Sequence, residues 1–332
     1  MTMKTLLITG GAGFIGSHAV DYFLEHHPEY RIINLDKLTY AGSLDNLASI
    51  QDHPQHRFVQ GDICDAPLMG AIFEHYAITD VIHFAAETHV DNSIISPDQF
   101  IQTNVVGTFT LLEAARQAWK GDYDAHRFHH ISTDEVYGSL GETGSFTEET
   151  PYAPNSPYSA SKASSDHLVR SYHHTYGLNT VITHCSNNYG PRQHSEKLIP
   201  TIIRKALSWQ PIPIYGTGNN IRDWLHVRDH CSAISCVFHH AKAGEHYNIG
   251  GNQELRNNDI VQHICALLNQ IQPRPDGQDY QSLIRYVTDR AGHDYRYAVT
   301  TDKIKTDLGW KPRTALAQGL LDTVKYFKNL IV

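Results

Sequence analysis

Two clusters in this chain have the residue types and spacing to do chemistry. Tyr158 and Lys162 stand four apart in Tyr158-Ser159-Ala160-Ser161-Lys162, and on a helix residues four apart share a face. An ammonium beside a phenol favours the phenolate and lowers the phenol pKa. A phenolate can take a hydroxyl proton while hydride leaves the same carbon. The triplet Thr133-Asp134-Glu135 adds a second acid and base. A redox step plus a second acid/base pair is what elimination of water from an oxidised sugar requires. Hydroxide is a poor leaving group and wants an acid aimed at it, and a C–H becomes acidic only beside a ketone. Taken alone, Asp134-Glu135 would read as a helix N-cap and a solvated acid.

The elements that must position these groups alternate. Thr5–Thr9, Arg31–Leu35, Arg57–Gln60, Val81–Ala85, Phe128–Ser132 and Val181–Cys185 read as strands. Phe14–His27, Phe100–Ala118 and Ser156–Tyr176 read as helices, the last with Pro157 in its first turn. Strands alternating with helices predict an α/β fold, a Rossmann-type doubly wound parallel sheet. After Pro191 the chain becomes rich in Pro, Gly and Trp, with helices expected at Asn258–Gln270 and Leu316–Asn329 and a linker-like stretch at Gln272–Gln281. We therefore expect a first domain over 1–190 carrying the catalytic residues. A smaller α/β C-terminal substrate domain covers 191–332, and its later segments are free to return to the first.

Gly10-Gly11-Ala12-Gly13-Phe14-Ile15-Gly16 follows the first strand and opens the first helix. Such a turn lets backbone approach a pyrophosphate, and the helix N-terminus supplies N–H donors. Asp36 ends the second strand, twenty residues past Gly16 (36 − 16). A carboxylate there accepts from an adenosine ribose and repels a 2′-phosphate, which favours NAD over NADP. Lys37 is the one residue beside it that could meet a phosphate. Asp62-Ile63 after the third strand and Phe84-Ala85-Ala86 after the fourth complete the expected cofactor wall, and Thr88 and Thr103 could hydrogen-bond cofactor or sugar.

Bulk properties narrow the classes. The chain has 332 residues, 41% hydrophobic and 19% charged, with net charge −8. That is a globular composition and a poor match for nucleic acid, which needs surplus Lys and Arg. No apolar run approaches a membrane span, and the opening residues Met1–Lys4 carry no signal-peptide pattern. Cys64, Cys185, Cys231, Cys236 and Cys265 are odd in number without CxxC spacing, which suits reduced thiols in a cytoplasmic protein. The 23 His residues include adjacent pairs such as His26-His27 and His239-His240, which point apart on one element; no metal is expected.

Across nearly its whole length the chain resembles the extended short-chain dehydrogenase/reductase superfamily, and within it the dTDP-glucose 4,6-dehydratase family. The resemblance rests on Gly10–Gly16, Asp36-Lys37-Leu38-Thr39-Tyr40-Ala41-Gly42, Gly61–Ile63, Ala85–Asp91, Thr103–Thr108, Ser132–Gly138 and Tyr158–Lys162. In the second half it rests on Asn187–Pro191, Glu196–Pro200, Arg222-Asp223-Trp224 and Asp289–Asp294. It implies that Leu38, Thr39, Ala41 and Gly42 join the NAD site. By resemblance Tyr158 deprotonates the glucosyl 4-hydroxyl as hydride passes from C4 to NAD. Glu135 then removes the C5 proton, protonated Asp134 serves the departing 6-hydroxyl, and Thr133 orients the sugar. Hydride return to C6 and reprotonation of C5 by Glu135 give dTDP-4-keto-6-deoxy-glucose and regenerate NAD.

For the substrate, dTDP-glucose, the resemblance implies His89, Asn188, Lys197, Leu198, Pro213, Tyr215, Arg222, Asn257, Arg290 and His293. Arg222 and Arg290 suit a diphosphate and Tyr215 a base. It also implies a homodimer, the helices at Phe100–Ala118 and Ser156–Tyr176 pairing across a twofold axis. Asn92 and His194-Ser195 depart from the family pattern, so the nucleotide, dTDP or UDP, stays open here. Alternatives are a UDP-sugar 4,6-dehydratase, a 4-epimerase, or a non-catalytic NAD-binding protein. An epimerase needs no elimination acid and base, and a silent binder usually loses the Tyr or the Lys.

Overall fold

The computed structural model describes residues 3–331; Met1 and Thr2, part of the opening segment considered above, and Val332 lie outside them. Twelve strands are present among these residues: β1 (Lys4–Thr9), β2 (Tyr30–Asp36), β3 (His56–Gln60), β4 (Asp80–His83), β5 (Arg127–Thr133), β6 (Thr180–Cys185), β7 (Asn187–Tyr189), β8 (Ile212–Tyr215), β9 (Ile221–His226), β10 (His246–Ile249), β11 (Glu254–Arg256) and β12 (Ile284–Val287). Seven form one parallel sheet in the order β10-β6-β5-β4-β1-β2-β3. The strand order reverses between β1 and β4, the switch point where doubly wound sheets hold ligands. The central strands are buried nearly end to end, as in Thr180–Cys185, because helices cover both faces.

The helices are α1 (Phe14–His26), α2 (Ala66–Tyr76), α3 (Val90–Ile95), α4 (Pro97–Phe100), α5 (Thr108–Ala118), α6 (Pro157–Tyr176), α7 (Leu198–Leu207), α8 (Val227–His240), α9 (Asn257–Ile271), α10 (Asp302–Leu308) and α11 (Leu316–Ile331). The continuous helix expected over Phe100–Ala118 is in fact composite: α4 leads into a π-helical stretch, Ile101–Gly107, before α5 begins. The wider turn aims the Asn104 side chain inward. Its amide donates to Ser161 Oγ at 2.8 Å and to Glu87 O at 3.0 Å, tying this stretch to α6 and to the loop after β4. Helix α6 opens as its sequence predicts. Ser156 and Ser159 cap each other's backbone N–H groups, Pro157 sits in the first turn, and Gly177 ends the helix in the left-handed region at φ 76°.

The sequence predicts a strand over Val81–Ala85; the strand spans Asp80–His83, Phe84 N still donates to Thr9 O at 3.1 Å, and Phe84–Ala86 continue as irregular chain past its carboxyl end. The second half makes its own small sheets, β11-β9-β7 and β12-β8, over a core that includes Ile199, Ile202, Ile203, Ile260 and Ile264. One strand from this half, β10, crosses back and extends the main sheet beside β6. No helix among the described residues is long and apolar enough to cross a membrane, and all five cysteines are free.

Candidate active site

The carboxyl ends of the parallel strands open into one cavity of about 300 Å³. Its floor is the glycine turn. Gly10 has φ 71°, and a Cβ there would lie 2.7 Å from the Ala85 backbone nitrogen; at Gly16 a Cβ would lie 2.1 Å from Gly10 O. Only glycine fits this packing. Gly13 caps α1 with no side-chain acceptor on the first-turn N–H groups, so those donors are free for an anion. Asp36 is braced by its own backbone: Oδ2 accepts from Ala12 N at 2.9 Å and Oδ1 from Leu38 N at 2.8 Å. Lys37 Nζ pairs with Asp62 Oδ2 at 2.7 Å, so this cation already has an acidic partner. A carboxylate at the ribose position, with Lys37 so engaged, fits NAD.

Gly10, Gly13, Phe14, Ile15, Gly16, Asp36, Lys37, Thr39, Ala41, Gly42, Asp62, Ile63, Phe84, Ala85, Ala86, Thr88 and Thr103 all line the cavity. Leu38 does not. It takes a left-handed φ of 58° and packs its side chain under the sheet, leaving its backbone N–H to hold Asp36.

At the far end, β5 delivers Thr133 and then turns into a 3-10 segment, Asp134–Tyr137. Thr133 Oγ1 accepts from Glu135 N at 3.3 Å, so the N-cap geometry and the placement of both acids in the cavity coexist. Asp134 is buried, and its Oδ2 has no partner. Burial, with the Glu135 and Asp223 charges adding to it, holds its carboxyl well above the usual carboxylate range. Burial also raises Glu135, against Arg222, Arg290 and Lys197, which pull it down. The two carboxyls thus differ in degree: burial and two neighbouring acids raise Asp134 the further, while three cations oppose the rise of Glu135.

Tyr158 and Lys162 both reach the cavity from α6. In one respect the sequence expectation is corrected. Tyr158 is not depressed by Lys162; burial and the Glu135 charge push the phenol well above its ordinary value, with Thr133 opposing. Burial is the largest cause. Lys162 Nζ donates to Ile131 O at 2.8 Å and lies 3.5 Å from His130 Nε2, and burial lowers its pKa to about 8.

The sugar-nucleotide residues gather less completely. Asn188 and Lys197 line the cavity, with Lys197 Nζ donating to Thr88 O at 3.0 Å. His89, Leu198, Pro213, Tyr215, Arg222, Asn257, Arg290 and His293 lie outside its lining. The donors of Arg222 go to backbone carbonyls rather than forking outward: Nη1 to Ile221 O at 2.8 Å and Nη2 to Asp294 O at 3.0 Å. Its guanidinium stacks 4.3 Å over Tyr297. Arg290 sits 3.7 Å from Asp91 and its Nε is unpartnered. His293 Nδ1 lies 2.7 Å from Asp289 Oδ1, and half-exposed Tyr215 packs edge-on to its ring. Sequence reasoning missed Glu87, Cys185, Gln193 and Glu196, which also line the cavity. Cys185 had a signal, since it ends a strand beside Thr133 in register.

Among the described residues, one His/acid group brings three ligand atoms within 4.8 Å: His27, Glu29 and His239. Its two imidazoles stack at 4.3 Å with planes 23° apart, so their in-plane lone pairs do not converge.

The sequence profile of the GDP-mannose 4,6-dehydratase family matches residues 7–323. The chain belongs to this family. Within the 4,6-dehydratases it is 56% identical to a dTDP-glucose 4,6-dehydratase of Xanthomonas campestris, over 98% of this chain and 93% of that one. It is 53% identical to that of Neisseria meningitidis, with the same coverage. The dTDP-glucose 4,6-dehydratase of Streptomyces venezuelae, solved with NAD and dTDP bound, superposes with TM-score 0.91 at 46% identity, over 98% and 97% of the chains. A UDP-glucose 4-epimerase of Thermotoga maritima gives TM-score 0.87 at 29% identity over 99% and 100%. The 4,6-dehydratases and the epimerases therefore share this frame, so the fold alone does not decide the reaction.

Proposed function

We propose that this chain is an NAD-dependent dTDP-glucose 4,6-dehydratase in which Tyr158, Glu135 and Asp134 divide the proton transfers. What supports the reading is the pair of carboxyls that β5 delivers into the cavity beside Tyr158, Asp134 buried with its Oδ2 unpartnered and raised well above the usual carboxylate range, Glu135 facing Arg222, Arg290 and Lys197. NAD, when bound, supplies the ring that accepts a hydride from C4 and gives it back at C6.

The chain's own groups do the rest. Tyr158, as the phenolate that the Lys162 ammonium on the same helix face stabilises, takes the proton of the 4-hydroxyl, with Thr133 beside it to hold the sugar oxygen. The ketone so formed acidifies C5–H, and Glu135 removes that proton. Asp134 gives its proton to the 6-hydroxyl, which departs as water. Glu135 returns a proton to C5 at the end. Arg222, Arg290 and Lys197 supply the positive field for a diphosphate, and Tyr215 and His293 form its outer rim. The first 190 residues carry the cofactor and catalytic groups, and residues 191–332 mainly the sugar-nucleotide contacts.

The five free cysteines suit a reducing, cytoplasmic setting. A homodimer is supported by exposed apolar side chains on and between α3 and α6, including Ile95, Ile101, Phe109 and Tyr176; light scattering at twice the monomer mass would establish it. For the reaction, purified protein with dTDP-glucose yields a 4-keto product absorbing in strong alkali, without net NADH. Turnover of UDP-glucose in its place would overturn the nucleotide assignment.

A further inference from the structure

Behind Lys162 lies a sealed polar cluster that the reaction above does not use. Asp166 is one turn beyond Lys162 on α6, on the same face, and is 1% exposed. Its Oδ2 accepts from Ser132 Oγ at 2.9 Å and lies 3.0 Å from His184 Nε2; its Oδ1 lies 3.3 Å from His130 Nε2. The same His130 nitrogen is 3.5 Å from Lys162 Nζ. Tyr152 Oη lies 2.7 Å from His184 Nε2, and Tyr137 Oη, 3.3 Å from its Nδ1, donates to Asn248 Oδ1.

A buried ammonium needs a counter-charge or it gives up its proton. No carboxylate pairs with Lys162 directly; its hydrogen bond is to a neutral carbonyl. We propose that Asp166 is a positioning residue that supplies the buried counter-charge for Lys162, with the His130 imidazole held between them. Asp166 suits the task. Burial works against its charge, but the His130 and His184 contacts overcome it and hold the carboxyl below the usual range. His130 is itself neutral near pH 7, burial lowering its pKa to about 4. The other ionisable groups facing the cluster are Tyr152 and Tyr137, both raised by burial, and Cys185 beside Lys162, whose thiol burial pushes up to about 12. His83 packs against His130 at 5.3 Å and is kept neutral by burial. None of these carries a negative charge near pH 7, so within the cluster Asp166 is the anion available to the lysine; Asp134 and Glu135 line the cavity that Lys162 also reaches. The Asp166 charge then fixes the pH range over which Lys162 stays an ammonium beside Tyr158.

The inference rests on the reading of Tyr158 and Lys162 as the working pair, and its test separates the two. The alkaline limb of kcat/KM for dTDP-glucose, measured between pH 6 and 9, reports loss of the lysine proton. Removing a nearby opposite charge lowers an ammonium pKa. Asp166→Asn should therefore move this limb down by about one pH unit or more, and Asp166→Glu, which keeps the charge, should leave it in place even if kcat falls. Asp166→Ser gives a second neutral variant if the Asn protein does not fold, folding being judged by NAD retention and circular dichroism. A neutral variant whose profile is scaled down but unmoved would overturn the counter-charge role, as would a Glu variant displaced as far as Asn. If instead Tyr158→Phe or Lys162→Met turns over at full rate, the underlying reading fails and not this inference alone.

Discussion

The two ends of the cavity are built from different material. The nucleotide end is mostly main chain: the Gly10–Gly16 turn, free amides of α1, and an Asp36 carboxylate clamped by two backbone N–H groups. The sugar end is mostly side chain, and the cations in and around it already have partners within the protein. Arg222 is spent on carbonyls and on the Tyr297 face, Lys197 on Thr88 O, and Arg290 stands beside Asp91. A main-chain site is shaped before any ligand arrives. A side-chain site is tuned instead, by burial and by charges acting on each other's pKa, as Asp134 and Glu135 show.

This contrast can be broken from either side. The largest effect is expected at the sugar end. Tyr158→Phe should cut turnover by about 10²–10⁴-fold, the range for a lost general base, while NAD binding, measured by fluorescence quenching, stays within about twofold of the parent. The converse change is Gly16→Ala. Its Cβ meets backbone at Gly10 O, which cannot rotate away, and overpacking of this kind costs about 1–3 kcal/mol. NAD affinity should fall roughly 10–100-fold with the pH profile of the NAD-saturated enzyme unmoved.

Arg222→Lys is milder. It keeps the charge but not the planar stack on Tyr297 or the paired carbonyl contacts, and should raise KM for dTDP-glucose about tenfold with little change in kcat.

The last effect is on stability in mild acid and not on the reaction. His130 and His230 serve the sugar end, His230 bonding Asn188 at 2.9 Å, and burial lowers them to about 4 and about 3. The unfolded chain takes up these protons from about pH 6.5 downward and the folded chain does not. Stability should therefore fall as pH drops from 6.5, by roughly 1.4 kcal/mol per pH unit for each group. Thermal melts of His230→Gln should show a flatter slope.

The same contrast explains what could be read from the chain. The glycine turn, Asp36 and the Ser156/Pro157 helix start depend on local backbone needs, and local spacing records them. The acids after β5 were legible because a strand end fixes where the next residues point. Other features came from residues far apart. The return of β10 to the main sheet pairs His246–Ile249 with Ile182–Cys185, and no local pattern announces that register. The Tyr158/Lys162 spacing correctly put both on one face, yet the lysine turns to Ile131 O, an acceptor supplied by β5. Arg222 looked free for phosphate because its stacking partner, Tyr297, is 75 residues later (297 − 222).

The central claim is that the acids after β5 divide the elimination while Tyr158 serves the oxidation. Rapid mixing of NAD-loaded Glu135→Gln protein with dTDP-glucose tests it most directly. The account predicts that NADH absorbance rises and persists, with release of water slowed about 10²-fold or more, because C4 is oxidised but the C5 proton is not removed. Full-rate formation of the 4-keto-6-deoxy product by this variant, with no NADH build-up, would contradict it.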